Sequence, residues 1–191
     1  MRVLIITEDF TQDQYIVKPI VEAMLAAVGR PRAKVEVCRD PRFQGVTQAM
    51  DWQRLVKVID RYRGMVDLFV LCVDRDNNPT RRAALDSLEA QAKAYAPDKM
   101  FLSEHAWQEL EVWLLAGHDL PSAWDWQAIR AEEHPKENYY LPFARQRNVH
   151  RQPAQGRSTL AIEAAKRYSR IRHLCPEDIA ILEQRIRASL P

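Results

Sequence analysis

The sequence predicts an α/β fold: a mainly parallel sheet of about four strands flanked by helices, with a C-terminal helical extension. Two apolar runs, residues 3–7 and 68–73, pass straight into acids, Glu8-Asp9 and Asp74-Arg75-Asp76. Runs of that length bounded by turn residues read as strands buried on both faces. Strand-like and helix-like patterns also alternate through the first half of the chain, as they do where crossover helices join parallel strands. Finally, 191 residues, 47% of them hydrophobic and 28% charged, are enough for one ordinary domain with a sizeable core.

The elements follow in order. Residues 3–7 form the first strand. Ile16, Ile20, Ala23, Met24 and Ala27 recur at helical spacing over 13–28. A short strand at 34–38 ends in Arg39-Asp40-Pro41. A helix over 47–62 places Leu55, Ile59 and Tyr62 on one stripe, and the strand at 68–73 follows Gly64. A helix over 80–95 carries Ala84, Leu88, Ala92 and Tyr95, and residues 99–102 fit a fourth strand. Ser103 is placed to cap a helix over 104–116 that Gly117 closes. Residues 118–157 hold five prolines or glycines and several aromatics, and read as an irregular connection with short helices at most. Two helices end the chain. Ser158 caps the first; Pro176 suits the first turn of the second, whose stripe is Ile179, Leu182, Ile186 and Leu190. The expected organisation is an α/β unit over 1–117, with 118–191 packing on the same domain.

A net charge of +2 advertises no polyanion partner through a global field. The local distribution does more: residues 142–172 hold nine basic side chains against one acid, Glu163. Arg145, Arg147 and Arg151 are the candidates for contact with a phosphate backbone, with Tyr139, Tyr140, Phe143 and His150 as stacking partners. The plainer reading of the same stretch is a solvated charged surface. Cys38, Cys72 and Cys175 lack metal-binding spacing and read as reduced thiols of a cytoplasmic protein. No leader or membrane-spanning run is expected. No P-loop, glycine-rich dinucleotide motif or nucleophile elbow occurs.

In a right-handed crossover sheet, Glu8, Asp74 and Asp76 end strands at the same edge, where α/β folds bind ligands. Clustered carboxylate oxygens suit Mg²⁺ or Mn²⁺ and not zinc. On a helix over 104–116, Glu104, Gln108 and Glu111 share one sector beside Trp107, Leu110 and Leu114, while Glu109 faces solvent. Glu104 and Glu111 therefore complete the candidate metal set. His105 is a candidate for proton transfer or a plain first-turn residue. Taken singly, each acid could be a turn former or helix cap, as Asp74, Asp76 and Asn77 could be ahead of Thr80.

A glutamate ending the first strand and Asp-x-Asp ending the third resemble the Toprim domain of topoisomerases, primases and OLD-family nucleases, a Rossmann-like fold. The stretch Gln108-Glu-Leu-Glu-Val-Trp-Leu-Leu-Ala116 is similar to the Glu-Ala-Trp-Leu-Leu-Ala motif of small stand-alone Toprim-like bacterial proteins, some linked to phage defence. Thr7-Glu8 followed by Asp13 resembles the opening of that group. The likeness covers residues 1–117 and reaches the C-terminal helices only loosely. It implies that Glu8 is a metal ligand or general acid/base, that Asp74 and Asp76 hold Mg²⁺ or Mn²⁺, and that Glu111 completes the catalytic set. The usual Toprim opening has Gly after the glutamate; here Asp9 stands there, which bears on the loop geometry or adds an acid to the site.

The function this implies is metal-dependent hydrolysis of DNA or RNA phosphodiesters, with a separate ATPase subunit as partner by analogy with OLD-like nucleases. Three alternatives stand beside it. A receiver-like phosphoacceptor lacks its lysine, because Lys99 begins its strand instead of ending it. A nucleotide-sugar transferase lacks a sugar-binding region. A catalytically silent Toprim fold acting as an interaction subunit is kept open by Asp9.

Overall fold

The computed structural model describes residues 1–190. Four parallel strands form one sheet in the order β2-β1-β3-β4: β1 (Arg2–Ile6), β2 (Lys34–Val37), β3 (Leu68–Asp74) and β4 (Met100–Ala106). Three helix segments lie on one face, α2 (Val46–Ala49), α3 (Trp52–Tyr62) and α4 (Arg81–Tyr95). They cover Leu4, Ile6, Phe69, Leu71 and Val73. The opposite face, with Val3, Ile5, Leu68, Val70 and Cys72, is covered by α1 (Phe10–Ala27), α5 (Glu111–Ala116) and the C-terminal helices. The sheet is thus sandwiched, as the unbroken apolar runs of β1 and β3 require. The chain leaves β1 toward β2 on one side, then returns past β1 to build β3 and β4. The switch between the two directions lies between β1 and β3, and ligands in open α/β sheets bind at such points.

The connection after α5 holds α6 (Trp126–Ala131), a π-helical turn Lys136–Tyr140 and α7 (Leu141–Gln146). Three helices, not two, end the described chain: α8 (Arg157–Ala165), α9 (Tyr168–Leu174) and α10 (Ile179–Ser189). They share one apolar core with α1 and the sheet. Gly156 precedes α8 and no Ser158 cap forms; Asp178 caps α10 by accepting the Ile179 N–H. Gly117 is required by close approach: a Cβ there would stand 2.5 Å from Ala164 Cα. Cys38, Cys72 and Cys175 are free and buried. No helix among the described residues is long and apolar enough to cross a membrane.

Two expected helices are corrected. The 47–62 segment breaks at Asp51, whose carboxylate caps α3 by accepting the Arg54 N–H at 2.9 Å. The helix expected over 104–116 is strand to Ala106 and helix only from Glu111. The seven residues of β3 pair one for one with Met100–Ala106, so the length of β3 dictates that of β4. The charges that made 103–105 look helical are balanced across the edge of the sheet. Arg82 from α4 and Arg185 from α10 reach round from opposite faces, each donating to the Ser103 carbonyl at 2.9 Å. Glu89 accepts the Ser103 N–H at 2.6 Å and pairs with Arg185. Side chains thereby occupy backbone groups that an exposed edge strand would offer to another chain.

Candidate active site at the carboxyl edge of the sheet

Glu8 and Asp74 meet where β1 and β3 end. The Asp74 backbone N–H donates to Glu8 Oε1 at 2.7 Å, and the Leu110 N–H donates to Asp74 Oδ1 at 2.9 Å. Each acid thus has one oxygen fixed by backbone. Beyond β3 the chain turns through Asp76 and Asn77, both left-handed at φ 51° and 52°. Asp and Asn tolerate that region better than most residues. Gln108 clasps the turn. Its carbonyl accepts the Arg75 and Asp76 N–H groups at 2.9 and 3.2 Å, and its side-chain Oε1 accepts the Asn77 N–H at 2.9 Å. Gln108 does this at φ 74°, a conformation costing a non-glycine residue about 1–3 kcal/mol that the clasp offsets. Asp76 itself faces Arg81, buried in the first turn of α4, at 3.2 Å.

Glu111, the first residue of α5, is bound by Arg157, with Nη2 and Nε at 2.5 and 3.1 Å from the same oxygen. Arg157 also donates to Gln12 Oε1 at 3.1 Å and Gln155 Oε1 at 2.8 Å. It follows three residues of positive φ, Ala154, Gln155 and Gly156. Asp9 resolves the departure from glycine at the opening loop. Its carboxylate caps α1, accepting the Thr11 N–H at 2.7 Å, while its own N–H donates to Asp13 Oδ2 at 2.9 Å. Asp9 is a helix cap, and Asp13 is the acid that α1 brings to the cluster.

The electrostatics follow from this crowding. Burial pushes the Asp74 carboxyl well above the usual range, and Glu8, Glu111, Asp13 and Asp76 all push it further. Glu8 rises from 4.5 to about 7, chiefly through burial, although the Asp74 N–H pulls it down; Asp76 adds to the rise and Arg81 opposes it. Asp13 rises from 3.8 to about 7, through burial first and then Glu111, Glu8 and Asp9. Such a group is a cluster of carboxyls that keep protons for want of positive charge beside them.

Not every expected residue joins it. Glu104 lies in β4 opposite Cys72, not on a helix with Glu111, and its Oε1 pairs with Arg82 at 3.1 Å. His105 aligns with Val73, hence on the other face of the sheet from Asp74. Glu109 is half-buried, not solvent-facing, and accepts the Lys136 N–H at 2.8 Å. Among the described residues, three donor atoms come within 4.8 Å of one another at Glu109, His134 and Glu137, and not at Glu8, Asp74, Asp76 and Glu111. In the cluster, one oxygen each of Glu8 and Asp74 accepts a backbone N–H, Asp76 pairs with Arg81, and Glu111 pairs with Arg157.

Arg147 pairs with Glu163 at 2.7 Å. Arg145 and Arg151 are exposed and form no ion pair with any described carboxylate. Tyr140 and Phe143 are core residues, and Tyr139 packs edge-on against Trp124, so they form no stacking platform. Sequence reasoning named Asp13 only within the Thr7-Glu8 opening and Gln108 only as a neighbour of Glu111, gave neither a role, and missed Arg157. Asp13 carried a faint signal, one helical turn beyond the capping Asp9. Arg157 carried none, standing 46 residues from Glu111.

No family model matches this sequence, and no curated protein matches it. Among solved structures, the C-terminal region of the Xanthomonas campestris pv. campestris OLD protein aligns over 98% of this chain and 94% of its own, with 21% identity and a TM-score of 0.45.

Proposed function

We propose that this chain is a Toprim-type nuclease that hydrolyses DNA or RNA phosphodiesters with a divalent cation at Glu8, Asp74 and Asp76. The observation that carries this is the Asp74–Glu8 contact at the switch point of the sheet, inside a cluster whose anions raise one another. The donor set is all oxygen, which fits Mg²⁺ or Mn²⁺. Glu8 Oε2 and Asp74 Oδ2 are the oxygens left for it, with Asp13 and Glu111 beside them. Such an ion supplies Lewis-acid polarisation of the phosphate and a water of lowered pKa.

The chain's own residues do the rest. Without the cation, burial holds the Glu8 carboxyl at about 7, so binding a cation there would release its proton at neutral pH. Gln108 fixes the turn that carries Asp76. Arg157 pairs with Glu111 and brings a buried guanidinium to the edge of the cluster. Arg145 and Arg151, exposed and free of acidic partners among the described residues, are the side chains proposed to meet the nucleic-acid backbone. By the Toprim likeness of its motifs, a separate ATPase belongs to the same system, and three unpaired buried thiols suit the cytoplasm.

The test is incubation with plasmid, linear DNA and total RNA, with and without Mg²⁺ or Mn²⁺. Cleavage that needs the metal and disappears in both Glu8→Ala and Asp74→Ala supports the proposal; cleavage that survives both substitutions refutes it. A second reading, a catalytically silent interaction subunit, is favoured by the Glu111–Arg157 pair, which already neutralises one member of the cluster. Metal binding without cleavage of any of the three substrates supports that reading.

A further inference from the structure

We propose that Glu109, His134 and Glu137 form a second cation site, separate from the acidic cluster, that takes a transition-metal dication such as Zn²⁺. The three side chains come from two segments. Glu109 lies in the β4–α5 loop between the clasp residue Gln108 and Glu111. Glu137 lies in the turn that leads into α7, and His134 precedes that turn, its carbonyl accepting the Asn138 N–H at 3.1 Å. One ligand atom from each residue lies within 4.8 Å of the others. Among the described residues, no hydrogen bond or ion pair joins the three to each other. What the three share is the space between them, and modest side-chain rotations bring each to the roughly 2.0–2.2 Å of a zinc bond.

The backbone around the site is already tied down. The Lys136 N–H fixes Glu109 Oε2 at 2.8 Å, leaving Oε1 free. Glu132 accepts the His134 N–H at 3.1 Å, fixing the start of the turn. Lys136 Nζ, 3.9 Å from Glu137, is the nearby charge that a metal would displace. One imidazole and two carboxylates suit Zn²⁺ better than Mg²⁺, which the all-oxygen cluster nearby favours. An ion here would staple residues 134–137 to the loop holding Gln108 and Glu111. The inference stands whether or not the chain cuts nucleic acid.

Equilibrium dialysis against Zn²⁺, with Co²⁺ as a spectroscopic probe, tests it on the full chain carrying Asp74→Asn to silence the other cluster. We expect one tightly bound Zn²⁺ per chain and a tetrahedral Co²⁺ spectrum. His134→Ala and Glu137→Gln should each weaken binding by at least about tenfold, without changing the circular dichroism, because both side chains are exposed. Zinc binding that survives the double substitution overturns the site, as does a parent chain that binds none. Loss of zinc on His134→Ala with nuclease activity retained in the otherwise wild-type chain would support the two sites' being separate.

Discussion

Two regions of this molecule bury carboxylates on the same face of the same sheet, with opposite arrangements of charge. At the edge of β4, Glu104 is pushed up to about 7 by burial, but Arg82, the His105 N–H and Arg185 all pull it down, against Asp178 alone among its charged neighbours. At the β1/β3 switch point, every charged neighbour that acts on Asp74 pushes it up. The first arrangement carries its own cations: guanidiniums from two helices pair with Glu104 and Glu89 and close an edge strand, although Glu104 Oε2 accepts no hydrogen bond among the described residues. The second has, among the described residues, no cation paired with Asp74 or Glu8, and it is there that the proposed divalent ion would sit. Buried acids alone do not mark a functional site; buried acids that repel one another, at the sheet edge where ligands bind, do.

The largest difference between the regions should appear in catalysis. Asp74→Asn should reduce metal-dependent cleavage by at least about 10²–10³-fold, while Glu104→Gln leaves it within a few fold. Equal losses in the two variants, read from initial rates on a single substrate, would erase the contrast.

Stability should move the other way. Arg82→Ala removes the cation nearest a buried Glu104 and should cost about 1–2 kcal/mol. The cost stays below that of a fully buried pair because Arg82 is 33% exposed and Arg185 remains. Asp74→Asn, in EDTA at pH 8, should be neutral or stabilising, since it relieves repulsion; urea titrations measure both.

The pH dependence sharpens the same point. Glu8 and Asp13 have folded values near 7, above their unfolded 4.5 and 3.8. The folded state then binds more protons than the unfolded one between about pH 4 and 7. Their contribution is fully present below pH 4 and is lost as pH rises through 7. Metal-free protein should therefore lose several kcal/mol from these groups across that window, with about 8 kcal/mol as the upper bound. Glu8→Gln should flatten the slope, and Mg²⁺ should restore stability above pH 7. A metal-free profile that rises from pH 4 to 7 and is unchanged by Glu8→Gln contradicts the electrostatic account.

Smaller effects belong to the supporting residues. Gln108→Ala removes one of three clasping bonds and should weaken Mg²⁺ affinity about tenfold while thermal unfolding shifts only slightly. Arg151→Ala should lower nucleic-acid affinity regardless of sequence and reduce the salt slope by about one.

The sheet was legible because β1 and β3 are apolar runs that nothing but a two-sided burial explains. The second half of β4 was not, because Ser103, Glu104 and His105 are polar in sequence and become strand through pairing with β3 and arginines 21 and 82 residues from Ser103. The acids at the ends of β1 and β3 announced themselves by position. Asp9 read as a departure from a motif, yet an aspartate before a helix is a common cap, and that local rule explains it. The partners of the site, Gln108 at 31 residues from Asn77 and Arg157 at 46 from Glu111, are set by tertiary contact and leave no local pattern.

The most direct measurement is calorimetric titration of Mg²⁺ into the metal-free chain, in a His134→Ala background, comparing Asp74→Asn with Glu104→Gln. The account predicts that Mg²⁺ binding is lost in Asp74→Asn and unchanged in Glu104→Gln. Binding retained in Asp74→Asn, or abolished in Glu104→Gln, would contradict it.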